Sequence, residues 1–241
     1  MVAAHALDRG ENDKIRTRKK TMKKTMKVYL DDDLLETTTV YAPTTEDEWN
    51  LIPAKTRKKI IEKMRDVNVD HDWWDWIFDA LKNGYSDILS EHSDFRFFGI
   101  DEIYFSGFWC QGNGAIFEGA FDAMRFLQET NFETRLKWGK IEFEEKKIGF
   151  SHKGNYYHSN SYSMDYNLRL YAKNGEELDC KYIDALHKSL IDYVQYLYRK
   201  LCRRIYSRLE AEYEFLTSEA AICETIFVNE YVFDENGKQI C

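Results

Sequence analysis

Three stretches of the sequence bring together residue types that could do chemistry. The first is Ser106-Gly107-Phe108-Trp109-Cys110-Gln111-Gly112-Asn113-Gly114, with glycines set among aromatic and polar side chains. Glycine permits positive φ and close approach of backbone to a ligand, and successive free N–H groups in such a loop can cradle an anion. Ser106, Gly107, Trp109, Gln111, Gly112, Asn113 and Gly114 are therefore candidate ligand-binding residues, with a small nucleotide-like anion as the ligand class. The stretch matches neither the phosphate loop, with its Gly-Lys-Ser/Thr ending, nor the dinucleotide fingerprint. Two other uses of the same residues stand beside ligand binding. One is a bulged β-hairpin in which glycine relieves crowding next to Trp109; the other is a loop that contacts another protein.

The second stretch is Ser151-His152-Lys153-Gly154-Asn155-Tyr156-Tyr157-His158. His152 and His158 flank a turn and could face each other across a hairpin, which adds them to the candidate ligand-binding residues. With Asp165 they could support acid–base work, as in a hydrolase, or hold one metal ion. Two histidines do not by themselves make a metal site, so no metal and no cofactor is implied, and a hydrogen-bonded structural pair is the alternative. Cys110 has no assignable base, which a nucleophile needs, so no catalytic residue is assigned. The third stretch is a basic strip, Lys200, Arg203 and Arg204, which could meet nucleic acid or pair with its acidic neighbours.

Positioning these residues falls to a chain of 241 residues, 44% hydrophobic and 15% aromatic. That is long enough to bury a continuous core. Charge divides the sequence. Residues 1–27 hold 9 Lys and Arg against 3 acids, a net of +6, while residues 28–241 hold 25 against 39, a net of −14. The expectation is a disordered basic tail over 1–25, whose like charges repel, and a single domain over 26–241. The acidic body discourages nonspecific nucleic-acid binding, which depends on neutralising phosphates, so nucleic acid is expected at most through the tail. It suits a basic partner. The five cysteines are scattered without a CxxC pair, which excludes a disulfide framework and indicates a reducing compartment. No apolar run approaches the roughly 18 residues of a membrane span, and no signal-peptide pattern opens the sequence. A cytoplasmic protein with no membrane partner is expected, and a homo-oligomer stays open.

The elements follow from periodicity. Val28–Leu30 and Thr37–Tyr41 read as short strands, with Thr44 or Thr45 capping a turn. Residues 54–66 read as an amphipathic helix with Ile60, Ile61 and Met64 on its apolar side, and 70–81 as a helix with Trp73, Ile77 and Leu81 on a buried stripe. Phe95–Phe98 and Glu102–Ser106 read as strands, Ala115–Gly119 as the return strand, and Phe121–Glu129 as a short helix. Alternation over 140–171 predicts an antiparallel meander. From Cys180 to Leu216, apolar residues spaced three or four apart predict one long helix. A helix over 217–227 and a hairpin over 231–240 follow. The expected fold class is α+β: an antiparallel β-meander packed against several helices, including one long C-terminal helix.

Several of these segments, taken in order, resemble a family of accessory proteins from tailed bacteriophages. Pro53–Met64 is similar to the family's opening amphipathic helix, Asp70–Trp76 to its acidic tryptophan-bearing stretch, and Ile103–Ala115 to its Ser-Gly-Phe-Trp-Ser-Gln-Gly-Asp-Gly-Ala motif. His152–His158 is similar to its His-x-Gly-x-Tyr-x-His, and Glu230–Gly237 to its closing segment. The resemblance runs over residues 50–241 and leaves out the basic tail. Cys110 stands where the family has Ser and Asn113 where it has Asp, so position 113 lacks the carboxylate that a base or charged metal ligand would supply. The resemblance implies a non-enzymatic accessory protein, sometimes labelled antitoxin-like, acting in the cytoplasm of the infected bacterial host. Its implied partner is a host or phage protein, such as a defence protein or toxin that it would inhibit.

Overall fold

The structure is a computed structural model, and it describes residues 23–30, 33–130, 139–143, 147–172 and 181–240. In chain order these form β1 (Lys23–Leu30), β2 (Asp33–Tyr41), α1 (Glu46–Leu51), α2 (Ala54–Lys63), α3 (Asp75–Lys82) and α4 (Asp87–Ser90). A 3-10 turn (Ser93–Phe97), β3 (Phe98–Phe105), β4 (Ala115–Asp122), α5 (Ala123–Glu129), β5 (Gly139–Phe143) and β6 (Lys147–His152) come next. The chain closes with β7 (Tyr162–Asp165), β8 (Leu168–Ala172), α6 (Lys181–Leu216), α7 (Glu219–Val228) and β9 (Phe233–Asp234). The fold is α+β, with an antiparallel meander, several helices and one long C-terminal helix. Contacts divide it into two compact units, residues 66–218 and the flanking segments 1–65 with 219–241.

In the flanking unit, β1 and β2 form an antiparallel ladder from Lys23 opposite Tyr41 to Leu30 opposite Asp33, and β9 joins β2 at Tyr41. Both strands exceed the short runs that β-branched content marks out. Lys23–Thr25 therefore belong to a strand, not to a tail, and residues 1–22 lie outside the described residues. Thr45 caps α1 by accepting the Glu48 N–H at 3.3 Å, and the acidic first turn suits the positive end of the helix dipole. Trp49, Ile60 and Phe233 are buried in this unit's core.

In the central unit, β3, β4, β6 and β7 form one antiparallel sheet in that order, while β5 pairs with β8 in a ladder of its own. The alternating run 140–171 thus splits between two ladders. The sheet packs on α6 through Tyr198, which is fully buried, lies 4.3 Å from the Phe150 ring at an interplanar angle of 5°, and donates its hydroxyl to the Phe117 carbonyl at 2.6 Å. Burial pushes the Tyr198 hydroxyl far above its ordinary pKa. This hydrogen bond, together with the buried Val194, Leu197, Leu201 and Ile205, seats α6 against the inner strands β4 and β6.

Two expectations differ from the structure for local reasons. Phe95–Phe97 lies in a 3-10 turn and not in a strand: the His92 Nδ1 accepts the Asp94 N–H at 3.3 Å, and the tight turn buries Phe95 and Phe97 on the core side. The helix expected from residue 70 begins at Asp75, so Asp70 and Asp72 precede it. Trp73 still joins the stripe, buried alongside Ile77 and Leu81, but from the turn that leads into α3. Among the described residues no helix is long and apolar enough to cross a membrane.

Candidate functional site

The 106–114 segment is the connection between β3 and β4, and its conformation follows from residue type. Gly107 and Gly112 adopt φ of 90° and 88°, where glycine has no steric penalty. Trp109 adopts φ 62° as well, a conformation that costs a non-glycine residue about 1–3 kcal/mol. What holds it there is packing on either side and hydrogen bonding within the loop. The Ser106 N–H donates to the Gly114 carbonyl at 3.3 Å, the Asn113 N–H to the Cys110 carbonyl at 3.1 Å, and the Asn113 Nδ2 to the Phe108 carbonyl at 2.9 Å. The Asn113 backbone N–H and side-chain amide nitrogen thus both help close the loop.

Phe108 anchors the loop. Its ring stacks on buried Trp73 at 6.4 Å and meets Phe105 at 4.9 Å, Tyr206 at 5.4 Å and Tyr213 at 5.3 Å. Tyr206 and Tyr213 sit two turns apart on one face of α6, so the loop lies along that stretch of the helix. Burial raises the Tyr206 hydroxyl pKa, with Glu210 adding to the effect. Trp109 packs edge-on to Tyr213 at 5.5 Å yet stays 70% exposed. Cys110, Gln111 and Ser106 are exposed beside it.

A second loop, residues 153–161 between β6 and β7, abuts the first at the two glycines that sequence spacing left unexplained. A Cβ on Gly112 would lie 2.4 Å from the Tyr156 ring, and one on Gly114 would lie 2.7 Å from both the His158 Cα and the Tyr157 carbonyl oxygen. Only glycine lets the loops come this close. The contact brings His158 and the 106–114 residues together, as the spacing of the two motifs left open.

The histidine chemistry does not assemble. The His152 Nε2 lies 3.3 Å from the Tyr156 carbonyl, and its ring packs against both Tyr104 and Tyr157, at 5.3 and 4.9 Å, which stack on each other at 5.7 Å. The His158 Nδ1 accepts the Asn160 N–H at 3.2 Å and lies 3.3 Å from the Ser161 hydroxyl. Among the described residues no carboxylate bonds to either ring; Glu118 instead accepts the His152 backbone N–H at 2.8 Å. Asp165 pairs with Gly149, three rungs from the His152–Tyr162 pair, and strand alternation turns it to the opposite face. The His152, His158 and Asp165 constellation is therefore not formed, and both histidines serve to shape the second loop. Among the described residues no group of three or more His, Cys, Asp or Glu could hold a metal ion. The basic strip is partly absorbed by pairing, with Arg204 at 2.9 Å from Glu91 and Lys200 over the Tyr196 ring at 5.7 Å.

Sequence reasoning missed Tyr156, Tyr206 and Tyr213. The tyrosines at positions 206 and 213 carried a readable signal, a seven-residue spacing on a long helix. Tyr156 carried none, because its role depends on a contact across the sheet. The result is a surface made by two interlocked loops and one helix face, rich in aromatic rings. This chain belongs to a family described as a domain of unknown function (DUF8835), which matches residues 92–219 and so contains both loops and most of the described central unit, α6 included. Comparison with curated proteins and with solved structures finds no significant match.

Proposed function

We propose that the chain is a non-enzymatic accessory protein that binds another protein through the 106–114 loop. The observation that carries this is Trp109: a large aromatic side chain, 70% exposed, held at a positive φ on a loop that is otherwise locked from both sides. Strain kept at an exposed position by its surroundings is a mark of function, and tryptophan is among the residues most enriched at binding hot spots. A rigid presenting loop also lowers the ordering cost of association. The setting proposed with it is the one its phage-family resemblance implies, a phage-encoded inhibitor of a host defence protein or toxin in the infected bacterial cytoplasm. The test is recovery of partners on tagged chain from infected cells, wild type against Trp109→Ala. A protein held reproducibly by the wild type and lost with the variant supports the proposal. Identical recoveries with both chains would contradict it.

A further inference from the structure

We infer that the partner of this loop is a protein segment carrying an apolar anchor flanked on one side by lysine or arginine, and that α6 sets its polarity. The inference rests on the protein-binding proposal and adds the chemistry of the occupant. Two exposed aromatic side chains mark the apolar part: Trp109, 70% exposed, and Tyr156, 59% exposed, each on one of the two interlocked loops. The charges around them are arranged by sign. Trp73, which stacks on Phe108 and touches Tyr213 at 5.9 Å, is flanked in sequence by Asp72 and Asp75, both exposed. On α6, Glu210 lies between Tyr206 and Tyr213 along the same face, and Glu214 follows one turn on. Residues 66–81, 106–114 and 209–218 contain no lysine or arginine. The nearest cation along the helix, Arg208, is occupied: its guanidinium lies 5.3 Å from the Trp76 ring centroid and 3.8 Å from the Glu212 carboxylate.

The other direction along α6 has the opposite sign. Arg203 is exposed one turn before Tyr206, and Arg199 one turn before that lies with its guanidinium 5.8 Å from the Tyr162 ring. Lys153, three residues before Tyr156 in sequence, is exposed on the second loop. The face of the long helix therefore turns from basic to acidic at Tyr206, and Trp109 sits on the acidic side, against Tyr213. Carboxylates carried by the segments that pack against Phe108 and Trp109 favour a cationic partner by long-range attraction and disfavour an anionic one. Nucleic acid, which binds by presenting phosphates to lysine and arginine, is the wrong sign for this end of the surface.

The experiment uses the full chain and three labelled synthetic peptides, each with the same central Trp-Leu-Leu anchor, read by fluorescence anisotropy. One carries lysines on a single side of the anchor, one carries glutamates there, and one is neutral. The lysine peptide is expected to bind most tightly, at least about 10-fold better than the neutral one, and to weaken steeply with added salt. Glu210→Lys with Glu214→Lys should weaken it by about 10-fold or more, and Asp72→Lys with Asp75→Lys should do the same from the neighbouring segment. Arg203→Glu should leave it unchanged or tighten it. Asp165→Lys and Asp192→Lys, exposed acids elsewhere in the unit, should have no effect. Trp109→Ala should weaken all three peptides. Equal binding of the three peptides, or equal loss from the remote acid variants and the local ones, would overturn the inference. Loss with Trp109→Ala but indifference to every charge reversal would overturn it too, while leaving the protein-binding proposal standing.

Discussion

Gly114→Ala probes the contact that joins the two loops. A Cβ at this position would lie 2.7 Å from the His158 Cα and the Tyr157 carbonyl oxygen, and 3.1 Å from the His158 nitrogen. Favourable separations begin near 3.5 Å, so the loops must part by about 0.8 Å. The atoms in the way are backbone, which cannot swing aside as a side-chain tip can. Overpacking of this kind costs about 1–3 kcal/mol, and a value of about 2 kcal/mol is expected because the 153–161 loop can yield at its exposed end. Gly107→Ala is the control. Its Cβ would meet nothing nearer than the Asn113 Nδ2 at 3.8 Å, so it carries only the strain of φ 90°, about 1 kcal/mol. For a chain of this size 1 kcal/mol moves the melting temperature by about 2–4 °C. Calorimetry should therefore show a loss of about 4–8 °C for Gly114→Ala and about half that for Gly107→Ala. Hydrogen exchange should rise in residues 153–161 in the first variant alone. A Gly114→Ala chain that melts with the wild type, or no lower than Gly107→Ala, would refute the interlocked-loop geometry.

The buried and exposed thiols should separate cleanly under iodoacetamide: Cys110 is exposed and should be labelled in the native chain, whereas fully buried Cys202 should be labelled only after denaturation, as peptide mass mapping will show. Burial pushes the Cys202 thiol up to about 12 from 9.0. Above pH 9 the unfolded thiol loses its proton while the folded one keeps it. This group's contribution to stability is therefore full below pH 9 and falls as pH rises towards 12, by up to about 1.4 kcal/mol per pH unit. Denaturant unfolding between about pH 9 and 11 should show a shallower decline for Cys202→Ala than for the wild type. Asn113→Asp should weaken the loop by about 0.5–1.5 kcal/mol, because a carboxylate cannot donate to the Phe108 carbonyl that the amide reaches at 2.9 Å; the same unfolding measurement at about pH 7, where the new carboxylate is ionised, checks it. Tyr198→Phe removes the hydroxyl that the Phe117 carbonyl accepts at 2.6 Å inside the core and should cost about 1–3 kcal/mol by the same assay.

Much of the fold was legible because one face of each element had to be buried. The three- and four-residue spacing over Leu190, Val194, Leu197, Leu201, Ile205 and Leu209 marks α6, and all of these residues are buried. Trp73, Ile77 and Leu81 read as one buried stripe, and they are one, although periodicity could not show that Trp73 reaches the core from a turn. Phe95–Phe98 misled because a short apolar run has no period of its own, and the hydrogen bond from the Asp94 N–H to His92 decides it locally. The partition of 140–171 into two ladders depends on strand pairing at a distance, which alternation does not encode. For the candidate site the same division holds. Glycine at positions 112 and 114 signalled a close approach. What approaches is the Tyr156 ring and the backbone of Tyr157 and His158, and only the sheet register that places β6 beside β4 fixes that. Asn113 reads as a ligand-binding group from its residue type; that its amide nitrogen also closes the loop on the Phe108 carbonyl is fixed by the loop's own conformation, which residue type does not encode.

The central claim is that the 106–114 loop contacts another protein, and site-specific photo-crosslinking tests it most directly. A benzophenone amino acid at Gln111, exposed beside Trp109, is irradiated in cells expressing the chain, with the same probe at exposed Asp192 as control. A discrete adduct to one protein at position 111, absent at position 192 and lost when Trp109→Ala is added, is the predicted result. No discrete adduct at position 111, or one that persists unchanged in the Trp109→Ala chain, would contradict the claim.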